Sequence, residues 1–484
     1  MKLTRTIASF LALSMLVSIT ACGSVSDGDD TNAATDNDAT ETEPVLPAGI
    51  ERADYQKEFH IYTSDDMVMY QRYTFAKDEE RSDAMSKALY DRELMVEEYL
   101  GVDITHELTD VFGAIRRNVQ AMVMSGENTY QLVLTHPIGG VQAMVTEDIL
   151  YDFNDFTYVD LSKDWWNIEA NDNLEIGGKQ YFAVSDYLIP DPNCILVNLD
   201  LLEQYKLDNP YDIVREGKWT VDKMIEMMQH VTLDNGDNVW DIKDQYGLGT
   251  PNDWYLNSFI YSSGLMLMGK NSDGEFELKF GDERTYTMME KMDELINNPS
   301  TFVYHWNNNN FDETTLDIST GRVLFNIATV RRLYTLRDTN VNYGILPYPK
   351  LDESQDTYTN NDWSGLMCVP KTVEDPDMVG QVISLLSYYS DTTTRPAYFD
   401  VMLGEKLSRD EDSREMLDII FDNVVYDAGF NYFGFTANMQ KLFYTVAFHI
   451  ADEKQNNFSS WFAKYQPGAL AEIADFNQVI SEME

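Results

Sequence analysis

Four oxygen-bearing side chains in one short polar stretch, Asn235, Asp237, Asp241 and Asp244, fall at positions three, five, nine and twelve of a twelve-residue calcium-loop register. Hard oxygen donors at that spacing can close around a cation, and Asn238 can stand in for the turn glycine. The first position fails, since Leu233 occupies it with Asp234 displaced by one, and Asp244 stands where a bidentate Glu is usual. A plain polar turn therefore competes with calcium here, and the chain is expected to need no cofactor. Nucleophilic and phosphate-binding patterns are missing: there is no Gly-x-Ser-x-Gly elbow, no His-Glu-x-x-His, no Gly-Lys-Ser/Thr loop and no Cys-x-x-Cys. The expectation is a protein that is not an enzyme. Glycoside hydrolysis stays open as the enzymatic alternative, because it needs only two well-placed carboxylates and the chain has 82 acidic residues.

The elements that must position binding groups are legible as alternating runs. Phe59 to Thr63 reads as a strand; Ser82 can cap a helix carrying Met85, Leu89, Val96 and Leu100 at helical spacing, with Gly101 placed to end it. Val102 to Ile104 resumes a strand, a second helix follows with Phe112, Ile115, Val119, Met122 and Val123 on one side and Gly126 at its end, and Tyr130 to Thr135 is an apolar strand. Strand, helix, strand, helix, strand predicts an α/β lobe with a largely parallel sheet, whose ligand groups lie beyond the strands' carboxyl ends. That rule selects Ser64, Asp65, Asp66, His136 and Pro137. Further on, Thr220 can cap a helix with Met224, Met227, Met228 and Val231, Gly321 precedes a strand over Val323 to Ile327, and Asn342 to Leu346 reads as another strand. Asp375-Pro376 opens a helix with Val379, Val382, Ile383 and Leu386, and Ser413 begins one with Met416, Leu417, Ile420 and Val424.

Composition narrows the partners. A net charge of -47 repels nucleic-acid phosphates and an anionic membrane face alike, so neither is an expected ligand. Lys2 and Arg5, an apolar run from Ile7 to Ile19 and small residues before Cys22 are the marks of a cleaved export signal, residues 1–21. Ile19-Thr20-Ala21-Cys22 resembles the lipobox of bacterial lipoproteins, which implies that Cys22 is acylated and becomes the new N-terminus. Two acyl chains there would hold the protein stably on the extracytoplasmic side of the cell membrane. Residues 23 to 49 carry seven Asp or Glu and no Lys or Arg, a composition that cannot offset chain entropy, so 22–49 is expected to be a disordered tether. What remains exceeds what one core ordinarily serves, and two lobes are expected.

Several segments in series resemble the extracellular solute-binding lipoproteins of bacterial ABC importers, in particular the sugar-binding family that includes maltose-binding protein. They are Phe59 to Asp66, Tyr130 to His136, Gly178 to Phe182 leading into Cys194 to Leu202, Gly217-Lys218-Trp219-Thr220, Gly321 to Ile327, Tyr343 to Pro349 and Gly365 to Lys371. The resemblance implies a periplasmic-binding-protein-like (type II) α/β fold: two lobes, crossing hinge strands and a ligand cleft between them that closes on a solute. Crossings are placed at Asp191 to Asn198 and Ser364 to Lys371, lobe one at 50–193 plus about 369–410, and lobe two at 199–363 plus about 411–484. The chain departs from the family between Tyr388 and Tyr432. If both crossings hold, Cys194 and Cys368 lie on neighbouring hinge strands, bridged or as two small buried thiols.

A sugar needs flat aromatics beneath its C–H faces and planar polar groups around its hydroxyls. Matching positions give Asp65 and His136 in lobe one, Asp186 and Tyr187 near the hinge, and Trp254, Tyr255, Arg331 and Trp363 in lobe two. Each has a duller reading, as core or rim aromatic or as one half of a surface ion pair. The expected function is capture of a carbohydrate, an oligosaccharide in particular, and its delivery by a monomer to the permease subunits of an ABC importer. Peptides or other polar metabolites are the alternative solutes, and a polymer-gripping adhesin or a secreted lipoprotein glycoside hydrolase the alternative classes.

Overall fold

The computed structural model describes residues 46–47, 49–64, 84–250, 253–303, 316–336, 339–362, 365–399, 411–454 and 456–483. Cys22 and its neighbours, Asp65, Asp66, Ser82 and Trp363 lie outside the described residues, as do the side chains of Asp253 and Trp254. The described strands are β1 (Lys57–Ser64), β2 (Val102–Thr109), β3 (Leu132–Thr135), β4 (Asn193–Asn198), β5 (Tyr246–Thr250), β6 (Met268–Lys270), β7 (Phe276–Leu278), β8 (Thr301–Val303), β9 (Val323–Thr329), β10 (Tyr343–Leu346), β11 (Asn360–Asn361), β12 (Leu366–Cys368) and β13 (Val424–Val425).

Period-two burial explains β1. Phe59 and Ile61 face a core shared with Leu132 and Leu134, while Tyr62 faces the opposite core with Val133. Both faces of the strand are therefore covered, as a parallel sheet requires. β1 pairs in parallel with β2 (Phe59 opposite Ile104) and with β3 (Ile61 opposite Leu132), and β12 adds antiparallel to β3, giving the order β12-β3-β1-β2. The helices between them form as their apolar stripes predict. Met85, Leu89, Val96 and Leu100 of Ala84–Leu100 are all buried, and Gly101 ends the helix at φ +64°, where a Cβ would meet the Asp54 backbone at 2.6 Å. Helix Phe112–Ser125 ends likewise at Gly126 in the left-handed conformation.

The second sheet has the order β10-β4-β9-β5-β8. β4 is antiparallel to both β10 and β9, whereas β9, β5 and β8 run in parallel. Thr220 caps Val221–Gln229 through its hydroxyl, which accepts the Lys223 N–H, and Asp375 caps Pro376–Thr392 by accepting from Met378. Val424 leaves the helix Glu411–Asp422, predicted to contain it, and pairs in β13 with β11.

Two segments join the sheets, and their pairing fixes the geometry. Ala183 lies opposite Met367 and Pro192 opposite Asp362, both antiparallel. The chain thus leaves the first sheet at 183 and enters the second through β4, then returns past 362 into β12. Because β12 runs antiparallel to β3 and starts at the crossing, β3 and its parallel neighbours must end at the crossing. By the same logic β9, antiparallel to β4, ends there too, and β5 and β8 with it. The carboxyl ends of both parallel sets point toward the joint between the lobes.

That antiparallel course also corrects the cysteine expectation. Cys194 continues from one crossing into β4 of the second sheet, while Cys368 continues from the other into β12 of the first. The two residues move apart rather than together, and both are free, buried thiols in different core clusters. Burial pushes both thiols up, so neither forms a thiolate readily.

Candidate functional site

Groups at the converging strand ends are the ones that can share a ligand. Past β3 comes His136, whose ring is buried 5.1 Å from that of Phe112. Its Nδ1 accepts the Ile138 N–H at 3.2 Å, which places the proton of the neutral ring on Nε2. His136 thereby caps the single turn Pro137–Gly139, and Gly139 is required there because a Cβ would stand 2.8 Å from the Thr135 hydroxyl. This turn and the helix Val141–Thr146 pack against a wide turn, Gly429–Phe433, from the C-terminal region.

The opposite wall grows from the end of β5. The short turn Asp253–Asn257 contains Trp254 and Tyr255; the Tyr255 ring is half-buried and its carbonyl accepts the Tyr348 hydroxyl at 3.2 Å. Asn257 donates from Nδ2 to the Tyr444 carbonyl at 2.9 Å, and the helix Val446–Glu453 packs on the same turn. A row of rings runs away from this tie: Phe430 to Phe435 at 6.0 Å between centroids, Phe435 to Tyr444 at 5.0 Å and Tyr444 to Phe448 at 5.8 Å. Phe430 and Tyr444 are buried, and Phe435 and Phe448 are half-buried against the same core, so only these two expose part of their rings. Such a surface suits stacking on the C–H faces of a polar solute.

The structure brings His136 and Tyr255 to these two strand-end walls. Of the other described candidates, Arg331 also follows a strand end at the joint, whereas Asp186 and Tyr187 do not. Arg331, just past β9, is tied to the crossing: its N–H donates to Asp191 Oδ1 at 2.9 Å and its Nε lies 3.4 Å from Oδ2. Its partner is a buried carboxylate, not the exposed one its duller reading supposed. Asp186 and Tyr187 are held inside lobe one, with Arg395 3.7 Å from the Asp186 carboxylate and Arg92 4.4 Å above the Tyr187 ring. Burial pushes the Asp186 carboxyl up to about 7, against the pull of Arg395 and with the help of Asp391. Asp65 and Trp363 lie outside the described residues.

Sequence reasoning missed the aromatic row, Asp191, Asp362 and Tyr426. A signal for the row existed, since Phe430, Tyr432, Phe433, Phe435, Phe443, Tyr444 and Phe448 crowd into one stretch. The calcium-register residues form a self-contained loop. Asp244 is buried and accepts the N–H groups of Asn235 at 2.9 Å and Asp241 at 2.6 Å; Asn235 accepts from Asp237, Asp237 from Val239, and Asp241 pairs with Lys243 at 3.0 Å. Among the described residues no group of three or more His, Cys, Asp or Glu is arranged to hold a metal ion.

No family model matches this chain, and no curated protein matches it. Among solved structures it is similar to the ABC substrate-binding protein Lmo0181 from Listeria monocytogenes, solved in complex with cycloalternan. That likeness covers 88% of this chain and 98% of the other at 10% identity, with a TM-score of 0.53. At such identity it is the fold that is shared: a two-lobed α/β architecture of the substrate-binding type.

Proposed function

We propose that this protein is a solute-binding protein of an ABC importer that captures a carbohydrate, an oligosaccharide in particular, between its lobes and passes it unaltered to permease subunits. The observation that carries this reading is the convergence of both sets of parallel strand ends on the crossing, with His136 past one strand end, Tyr255 past another, and the Phe430–Phe448 ring row beside them. Rings supply stacking surface, and the absence of a recognised nucleophile or metal pattern fits capture rather than turnover. A substrate-binding protein of the same fold, solved with a cyclic oligosaccharide, supports the choice of solute class. Acylation at Cys22 would keep the protein on the outer face of the membrane, where a monomer on an acidic tether meets the permease.

A thermal-shift screen across oligosaccharides, peptides and amino acids tests the reading. Concentration-dependent stabilisation by oligosaccharides, with the sugar recovered intact, is the expected result. Stabilisation by peptides alone would move the solute class, and steady release of shorter glycans would replace capture with hydrolysis.

A further inference from the structure

Asn235 is followed by Gly236, the one Asn-Gly pair in the sequence, at the exposed tip of the loop between helix Val221–Gln229 and β5. An asparagine amide is electrophilic at Cγ, and the backbone nitrogen of the next residue is the nucleophile that can close a five-membered ring on it. A glycine leaves that nitrogen uncrowded. Gly236 stands at φ +103°, with nothing within 4 Å of where a Cβ would lie, so attack meets no side chain and water reaches the product.

What sets this pair apart is how its reacting groups are held. The Gly236 N–H, which must give up its proton for the nitrogen to attack, donates to Asp234 Oδ1 at 2.6 Å. Asn235 Oδ1, where negative charge gathers as Cγ becomes tetrahedral, accepts the Asp237 N–H at 3.0 Å. A carboxylate thus stands at the proton and an N–H donor at the incipient oxyanion, the two placements that base-assisted acyl transfer calls for. The frame behind them is tied down. The Asn235 N–H donates to the buried Asp244 at 2.9 Å, Asp234 Oδ1 also accepts the Asn238 N–H at 3.2 Å, and Leu233 and Gln245 close the base of the loop through a reciprocal pair of backbone bonds at 3.0 Å. Such a frame removes part of the entropy cost that a free chain meets when it closes the same ring.

We propose that the folded loop promotes its own deamidation at Asn235. Gly236 N bonds to Asn235 Cγ while its proton passes to Asp234; the Cγ–Nδ2 bond then breaks, and Nδ2 leaves as ammonia carrying that proton. The product is a succinimide, which water opens at either carbonyl. Aspartate at position 235 results from one opening, and an isoaspartyl linkage that routes the backbone through the side chain from the other. No oxidant or reductant is consumed, and water is the only co-reactant. Either product adds a negative charge to a loop that already holds Asp234, Asp237, Asp241 and Asp244. The isoaspartyl form also lengthens the backbone between Asn235 and Asp241, whose N–H groups both bind Asp244, so this site is where the folded chain ages.

The test uses the full chain with Cys22→Ser, incubated at neutral pH either folded or unfolded in guanidinium, with loss of the Asn235 amide followed by peptide mass mapping and ammonia release. Asn271 is the internal reference: its Oδ1 accepts the Asp273 N–H at 2.9 Å in another surface turn, but Ser272 follows it. Asn235 is expected to react about tenfold faster in the folded chain than in the unfolded one, and Asn271 to show no such gain. Asp234→Ser keeps an oxygen that accepts the Gly236 N–H but removes the carboxylate, and should bring the folded rate down toward the unfolded one. Asn235→Gln, which would have to close a larger ring, should release no ammonia from the loop on this timescale. A folded rate equal to or below the unfolded rate overturns the proposal, as does an Asp234→Ser chain of unchanged urea midpoint that reacts at the original rate. Should Asp234→Ser lower the midpoint, the comparison of folded with unfolded chain decides by itself.

Discussion

Asp186 holds its proton into the neutral range because burial outweighs the charge of Arg395, and that has a consequence for stability. Its folded value, about 7, lies above the ordinary carboxylate value, so between those limits the folded state binds more protons than the unfolded chain. Stability from this group is therefore full below the unfolded value and is lost as pH rises toward 7. Asp186→Asn is expected to flatten that slope and to stabilise the protein by about 2 kcal/mol at pH 8, less at pH 5. Urea unfolding at the two pH values reads it, and an unaltered slope would count against the assignment. At the walls, Tyr255→Ala, Trp254→Ala and Phe435→Ala should each weaken solute binding ~10- to 100-fold while the protein stays folded. Calorimetry with the solute found by thermal shift supplies the number. Two of them unchanged would move the site elsewhere.

Short-range rules governed most elements. The cap at Thr220, the Asp375-Pro376 helix start and the Gly101 and Gly126 stops rest on neighbours within a turn, which is why their spacing alone disclosed them. Thr220→Ala should cost about 1 kcal/mol. Gly247 answers to a different constraint, since a Cβ on it would come within 2.3 Å of Met228 Cβ and 2.6 Å of its Cα. Gly247→Ala should therefore destabilise by about 2–3 kcal/mol, a cost seen as a lowered urea midpoint, because strand β5 and the Met228 helix cannot both keep their places. The loop holding Asn235, Asp237, Asp241 and Asp244 closes on its own N–H groups and Lys243. The protein's melting temperature is expected to be the same with calcium and with chelator. A calcium-dependent rise of several degrees would restore the cation reading.

At the scale of the molecule, antiparallel crossings do two things at once: they turn both sets of parallel strand ends toward each other, and they carry the two cysteines away from each other. In the Cys22→Ser chain two thiols should react with a thiol reagent after unfolding and neither before, whereas a bridge would leave none to react even in denaturant without reductant.

The chain on its own disclosed alternating α/β elements and the strand-end rule that picks out His136, whereas Trp254 and Tyr255 came from the family resemblance. The first two follow from periodicity, caps and turn chemistry, which act over a few residues. What it could not disclose were pairings between distant positions: Asp191 with Arg331 and Asp362, Tyr187 beneath Arg92, and the ring row beside Asn257. An aspartate or a phenylalanine has the same local signature whether it meets water, a partner far along the chain or a ligand. Only the packing of two sheets across one joint decides which, because that packing sets who is buried beside whom.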